Sequence, residues 1–113
     1  MNHLSTHILD LARGKPAADV PVRVDRQNTS GGWLPIASAR TDRDGRCGQL
    51  LPEGESSPGI YRLIFDTASY FRAPKVTALY PVVEVTFEVR EEDARFHIPL
   101  LLSPNGYTTY RGN

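Results

Sequence analysis

The sequence has little of what several classes of protein require. Cys47 is the only cysteine among the 113 residues, so no disulfide can form within the chain and packing must hold the fold. Lysine and arginine together number 13, as do aspartate and glutamate, and this balance argues against binding to nucleic acid or to a membrane surface. No apolar run approaches the roughly 20 residues of a membrane helix. Residues 1–14 lack the small-residue cleavage pattern of a secretory signal. We therefore expect a cytoplasmic protein.

What the sequence does contain is a set of short runs in which apolar and polar residues alternate, as they do in half-buried strands. The clearest run is 82–90, where Val83, Val85, Phe87 and Val89 share one face. Runs bounded by Gly, Pro, Asn and Asp also predict strands at 4–11, 20–26, 34–41, 60–65 and 95–102. The length allows one domain, residues 1–113. An all-β fold follows, an antiparallel β-sandwich of seven to eight strands.

One segment, residues 67–73, has no strand alternation. Asp66 or Thr67 could cap a helix at its start, and Pro74 would end it. The sequence therefore predicts one short helix of about two turns within the sandwich.

The strand at 95–102 is largely apolar on both faces. Phe96, Ile98, Leu100 and Leu102 share one face, and His97, Pro99 and Leu101 share the other. A strand of this kind is buried on both sides, either within the domain or by a partner chain. The simplest interpretation is that His97, Pro99 and Leu101 face another subunit.

The residues that could carry chemistry are few. His7 lies on a strand face with Ser5, Leu9 and Leu11, and Arg46 follows an Asp-Gly turn. Histidine titrates near neutral pH, but a single histidine on a strand is more often a packing residue than a catalyst. His3 is expected to lie at a frayed terminus, and Cys47 to be structural. Three histidines without Cys or Glu at ligand spacing do not predict a metal site, and neither a Gly-rich phosphate loop nor a nucleophile elbow is present. These features do not name a substrate.

Several segments are similar to the motifs of one known family. They are LSTHILD at 4–10, GKPA at 14–17, TDRDGR at 41–46, GIYR at 59–62, FDT at 65–67, FHIPLLLSP at 96–104 and YTTYRG at 107–112. On these segments the chain resembles the 5-hydroxyisourate hydrolases, the purine-degrading branch of the transthyretin family. The resemblance covers essentially the whole chain, and its C-terminal motif is long and specific.

The resemblance implies a transthyretin-like homotetramer in which two dimers pack face to face around a central channel, with sites at the dimer–dimer interface. It implies that His7, Arg46 and His97 are catalytic, and that the C-terminal segment lines the same pocket. The substrate-binding residues expected there are Thr108, Tyr110, Arg111 and Asn113. The family usually ends in Tyr-Arg-Gly-Ser, whereas Asn113 follows Gly112 here. A serine hydroxyl and an amide can both donate and accept hydrogen bonds, but with different reach.

The activity implied is hydrolysis of 5-hydroxyisourate to 2-oxo-4-hydroxy-4-carboxy-5-ureidoimidazoline in urate degradation, with neither metal nor cofactor. His7 and His97 would deprotonate the attacking water and protonate the leaving nitrogen, in an order that the sequence leaves open. Arg46 would hold the carbonyl-rich ring and stabilise developing negative charge. The thyroid-hormone carriers of this fold hold other residues at these His and Arg positions. The alternative hypotheses are a small-ligand carrier without catalysis and, less well supported, an adhesion or interaction domain.

Overall fold

The computed structural model describes residues 3–52, 57–92 and 95–113. Nine strands and one helix occur in this part of the chain. They are β1 (His3–Asp10), β2 (Lys15–Pro16), β3 (Pro21–Gln27), β4 (Trp33–Arg40), β5 (Arg46–Cys47), β6 (Gly59–Phe65), α1 (Thr67–Arg72), β7 (Val83–Val89), β8 (Arg95–Ser103) and β9 (Gly106–Thr109). Because β2 and β5 have only two residues each, seven longer strands form the body of the fold. The predicted strand number and the single helix are therefore confirmed.

The strands form two sheets. The first sheet has the order β2-β1-β8-β9, with β5 also paired to β1, and the second has the order β4-β3-β6-β7. All the strand pairs are antiparallel except β1 and β8, which run parallel with Ser5 opposite His97. The predicted antiparallel sandwich is confirmed, with this one parallel pair at the centre of the first sheet.

The core lies between the sheets and is formed by the predicted apolar faces. In β8, Phe96, Ile98, Leu100 and Leu102 are all buried, while Val85 and Phe87 of β7 are only partly buried. Their exposure follows from position, because β7 is the outermost strand of the second sheet. The other members of the core include Leu4, Ile8, Val20, Val22, Val24, Tyr61, Leu63, Phe65, Phe71, Val83 and Val89.

Two polar residues of β1 also point into the core, and both have partners. The Thr6 hydroxyl donates a hydrogen bond of 2.6 Å to the carbonyl of Ile98, and Asp10 accepts one of 2.6 Å from the Tyr70 hydroxyl. Burial of a polar group is tolerated when its hydrogen bonds are satisfied. The inner face of β1 therefore joins the first sheet to the helical segment that contains Tyr70.

The helix α1 begins as predicted. The carboxylate of Asp66 accepts hydrogen bonds from the backbone N of Ser69 at 3.0 Å and from its hydroxyl at 2.6 Å. These bonds satisfy N-terminal groups that have no partner within the helix, and they lower the pKa of Asp66. Phe71 anchors the helix in the core.

Candidate active site

The outer face of the first sheet brings three of the predicted residues onto adjacent strands. On β1, alternation turns Ser5 and His7 outward while their neighbours are buried. The β5 strand places Arg46 opposite His7, and the parallel β8 strand places His97 opposite Ser5. The order across this face is therefore Arg46, then His7 and Ser5, then His97.

Arg46 reaches this face because of the turn before it. The Asp42 carboxylate accepts hydrogen bonds from the backbone N of Arg46 at 3.0 Å and of Asp44 at 2.9 Å, and these bonds lower its pKa. Gly45 has a φ of 76°, and a Cβ there would collide with the carbonyl oxygen of Ile8. The backbone N of Ile8 donates to the Gly45 carbonyl at 2.7 Å. The TDRDG turn is thus fastened to β1, which fixes the start of β5.

His97 has a close neighbour on each side of its ring. The Ser5 hydroxyl lies 2.8 Å from Nδ1 of His97. On the other side, the backbone N of Gly112 donates to the His97 carbonyl at 2.7 Å, and a Cβ at Gly112 would lie only 2.6 Å from Cδ2. Only glycine permits the C-terminal segment to approach this closely.

The surroundings of His97 favour its neutral form. Burial lowers the pKa of His97 first, and the positive charges of His7, Arg46 and His3 lower it further. A histidine with a lowered pKa is largely deprotonated at neutral pH. Such an imidazole can accept a proton from water.

A groove of about 500 Å³ opens over these residues. Its lining includes the arginines Arg46, Arg95 and Arg111, and no aspartate or glutamate occurs among its lining residues in the described part of the chain. A groove with this balance of charge suits a ligand rich in carbonyl oxygens or carrying negative charge. The full lining is His3, Ser5, Thr6, Arg46, Cys47, Gly48, Arg95, Phe96, His97, Arg111, Gly112 and Asn113.

His7 lies beside this groove rather than in it. It lines an adjoining depression of about 290 Å³ with Leu9, Pro16 and Asp44, and Arg46 contributes to both spaces. The structure therefore brings His97 and Arg46 to one groove. His7 lies in the adjoining depression, on the other side of Arg46.

The predicted substrate-binding residues divide into two groups. Arg111 and Asn113 line the groove, and Arg111 also stacks its guanidinium 4.8 Å over the Phe96 ring and donates to the carbonyl of Arg95 at 3.1 Å. Thr108 is exposed opposite Leu101 on the outer face of β9, and Tyr110 lines a smaller depression of about 160 Å³ between the sheets. Thr108 and Tyr110 do not line the groove that holds His97.

Several residues of the groove are not predicted as site residues by the sequence, among them His3, Ser5 and Arg95. His3 was expected to fray, but it belongs to β1 opposite Arg95 and lines the groove, because β8 extends far enough to pair with it. Ser5 was noted only as a neighbour of His7, whereas its hydroxyl contacts His97. Alternation predicts which face a residue occupies but not which strand lies beside it. The sequence therefore has no signal that would place Ser5 beside His97.

Other expectations concern metals, membranes and Cys47. No group of three or more His, Cys, Asp or Glu that could hold a metal occurs among the described residues. None of the helices in the described ranges has the length and apolar character needed to cross a membrane. Cys47 is buried on the inner face of β5, and burial raises the pKa of its thiol.

The two sheets, the short helix after β6 and the histidine–arginine groove define a transthyretin-like β-sandwich. A family model described as the HIUase/Transthyretin family matches residues 4–112, and the chain belongs to this family. The chain is 44% identical to a 5-hydroxyisourate hydrolase of Salmonella dublin over 99% of this chain and 82% of that protein. It is 43% identical to a 5-hydroxyisourate hydrolase of Mus musculus over 97% of this chain and 94% of that protein.

Solved structures of the same fold include a hormone-bound relative. The crystal structure of sea bream transthyretin in complex with thyroxine superposes with a TM-score of 0.91 at 36% sequence identity. The superposition covers 96% of this chain and 93% of the transthyretin chain.

Proposed function

We propose that this protein hydrolyses 5-hydroxyisourate to 2-oxo-4-hydroxy-4-carboxy-5-ureidoimidazoline, a step of urate degradation. The observation that carries the proposal is the placement of Arg46, His7 and His97 on adjacent strands of one outer face. Relatives that are named 5-hydroxyisourate hydrolases match almost the whole chain at 43–44% identity. The chain is an enzyme of the hydrolase class on this evidence.

The reaction needs a base, an acid and a positive charge, and the site has groups of each kind. One histidine takes a proton from water as the water oxygen bonds to the ring carbonyl carbon, and the Arg46 guanidinium stabilises the negative charge on the carbonyl oxygen. The other histidine gives a proton to the ring nitrogen as the carbon–nitrogen bond breaks. The new carboxylic acid then ionises. The overall reaction consumes one water molecule, and it needs neither a covalent intermediate nor a cofactor.

The C-terminal segment would complete the substrate pocket. Arg111 and Asn113 lie in the groove, where a guanidinium and an amide can bind ring carbonyls and N–H groups. Thr108 and Tyr110 do not line the groove within one chain, so we propose that they contribute only where subunits meet.

The proposed assembly is a homotetramer with its sites at the dimer–dimer interface. On the outer face of the first sheet, Leu9 and Leu101 remain half-buried and Leu11 is 57% exposed, although Gly112 covers part of Pro99. An apolar strip of this kind is typical of a surface that another subunit covers. Light scattering tests the assembly, because a mass of one chain would contradict it. We place the enzyme in the cytoplasm, where the single thiol of Cys47 stays reduced.

A small-ligand carrier is the second candidate, because sea bream transthyretin has the same fold and was crystallised with thyroxine. A carrier needs the channel but not two histidines and an arginine on one face. The groove of this chain carries Arg46, Arg95 and Arg111 beside His97, which favours the enzyme.

Ultraviolet absorbance of freshly generated 5-hydroxyisourate separates the two candidates. Urate oxidase produces the compound from urate, and its spontaneous decay gives the baseline. We expect the protein to accelerate that decay in proportion to its concentration. Decay at the spontaneous rate would contradict the enzyme, and thyroxine binding under those conditions would support the carrier.

A further inference from the structure

The imidazole of His97 is held by contacts at two of its edges, and only one of them is polar. The polar contact is the 2.8 Å distance between the Ser5 hydroxyl and Nδ1. The two residues lie directly opposite each other on the parallel strands β1 and β8, so their backbone positions are fixed by the sheet. This contact does not depend on a loop.

The second contact packs the opposite edge of the ring against the C-terminal segment, and the Ser5 hydroxyl decides between the two orientations of the ring. A rotation of 180° about the Cβ–Cγ bond exchanges Nδ1 with Cδ2. Cδ2 packs against the backbone of Gly112, which is held in place by its hydrogen bond to the His97 carbonyl. In the rotated ring, Nδ1 would face this backbone carbon and lose the Ser5 hydroxyl. The observed orientation is therefore strongly preferred.

The remaining ring nitrogen is open to the groove. Nε2 of His97 makes no hydrogen bond within the described part of the chain, and no buried side-chain nitrogen there lacks a partner. Nε2 must therefore be accessible to solvent. Because His97 lines the groove, this nitrogen is available to a water molecule or to a substrate.

We infer that Ser5 is a positioning residue, and that it holds His97 with Nε2 as the nitrogen that exchanges a proton with water or substrate. The inference rests on the proposed function. It deepens that function by naming the reacting atom of His97 and the residue that presents it.

A hydroxyl suits this position better than a charged group. It can accept from Nδ1–H both when the ring is neutral, with Nε2 free to take a proton, and when the ring is protonated at both nitrogens, so the contact persists through a proton transfer at Nε2. A carboxylate in its place would favour the protonated ring and oppose the lowered pKa of His97. Within the described ranges, the basic side chains around His97 are His3 and His7 on β1, Arg46 on β5, Arg95 on β8 and Arg111 in the C-terminal segment, and no carboxylate side chain lines the groove.

The test compares Ser5→Ala with Ser5→Thr. Removal of the hydroxyl should lower kcat for 5-hydroxyisourate about tenfold with KM changed less than about twofold, because one hydrogen bond that orients the ring is lost. Threonine keeps a hydroxyl on the same carbon and should restore kcat to within about twofold of the parent. Ser38→Ala, an exposed serine of β4 on the opposite sheet, is the matched control and should leave kcat unchanged.

A second measurement reports directly on the imidazole ring of His97. Nitrogen-15 NMR of the histidine-labelled protein reports the tautomer and pKa of His97, with the signal assigned by its loss in His97→Asn. We expect the two ring-nitrogen shifts to change in Ser5→Ala and to stay at parent values in Ser5→Thr and Ser38→Ala. Circular dichroism and thermal unfolding establish that each variant is folded.

The outcomes separate the two proposals. Parent kcat together with unchanged His97 shifts in Ser5→Ala would overturn the role of Ser5 while the hydrolase proposal stands. A loss of kcat with unchanged shifts would also overturn it, because the serine would then act by another route. If the parent protein does not accelerate the decay of 5-hydroxyisourate, the proposed function fails, and the NMR comparison still decides whether Ser5 sets the ring.

Discussion

The outer faces of the two sheets hold charged side chains in opposite arrangements. On the second sheet, the Asp25 carboxylate is only 1% exposed and accepts hydrogen bonds of 2.9 Å from Nε of both Arg23 and Arg62. On the first sheet, the Arg46 guanidinium has no ion-pair partner among the described residues. Its histidine neighbour His97 is held by a hydroxyl rather than by a carboxylate. The second sheet pairs these charges with one another, whereas the first sheet leaves Arg46 available for a ligand.

Cavity size alone favours the other sheet over the proposed site. A cavity of about 660 Å³ lies on the second sheet, larger than the groove of about 500 Å³ on the first. Its charged residues already have structural partners, since Arg23 pairs with Asp25, Arg40 lies 3.4 Å from Asp19, and Asp66 caps α1. Groups that satisfy one another have little left for a ligand. The chemistry of the lining, rather than the cavity volume, supports the proposed site on the first sheet.

The largest expected effect comes from replacing a histidine of the first sheet. His97→Asn removes the titratable ring, and kcat/KM for 5-hydroxyisourate should fall at least about 100-fold, the usual worth of a positioned acid or base. Asparagine keeps a polar side chain, so the free energy of unfolding should change little. Initial rates of absorbance decay, corrected for the spontaneous reaction, measure the loss.

The matched control for this variant lies on the other face. Arg40→Gln removes a charge that lines the larger cavity and pairs, among the described residues, with exposed Asp19, so activity should stay within about twofold of the parent. An equal loss of activity in Arg40→Gln and His97→Asn would contradict the claim that activity depends on the first sheet and not on the second.

The second-largest effect is expected on stability rather than on activity. Asp25→Asn leaves two arginines without their buried carboxylate and should lower the free energy of unfolding by about 2 kcal/mol, discounted because Arg23 is about half exposed. Activity per folded molecule should not change. Urea unfolding at neutral pH gives the difference, and Glu84→Gln, which removes an exposed carboxylate 3.8 Å from Arg62, should cost less than about 0.5 kcal/mol.

The pH dependence of this pair has a definite sign. Burial raises the pKa of Asp25, but the hydrogen bonds from Arg23 and Arg62 outweigh burial and lower the pKa overall. A lowered folded pKa stabilises the protein above the unfolded value of about 3.9, and that stability is lost as the pH falls through the folded value. Asp25→Asn should therefore flatten the acid part of the stability curve. An equally steep loss of stability in the variant would show that other carboxylates control it.

The sequence predicted the strands and the helix because their signals are local. Alternation identified the inner residues of β3, β6 and β8, and Asp66 is one of the two residues that the sequence offered as the helix cap. The strands β2 and β5 were not predicted, since two residues are too few to show a period. The parallel pairing of β1 and β8 was also missed, because alternation determines faces and not partners.

The candidate site could also be predicted only as far as motifs and strand faces allow. His7, Arg46 and His97 could be named from motifs, and the structure then placed them on neighbouring strands. Ser5 and His3 became visible only once β8 was known to lie alongside β1 over its whole length. Residues that act through a neighbouring strand are therefore hard to identify from one sequence. This limit explains why the positioning role of Ser5 came from the structure.

The smallest expected effect is a shift in the titration of His97. It tests whether the basic residues of the groove lower the pKa of this histidine. Burial lowers its pKa most, and His3 is the last of the three positive neighbours that add to this lowering. His3→Gln removes one positive charge and should raise the pKa of His97 slightly toward the usual value of about 6.5. A higher pKa means a smaller neutral fraction at mildly acid pH, so the acid limb of kcat/KM should move to higher pH while the plateau at alkaline pH is retained. Nitrogen-15 titration of His97 measures the shift directly, with Arg40→Gln as the distant control. A downward shift, or an equal shift in the control, would show that the cations of the groove do not govern this histidine.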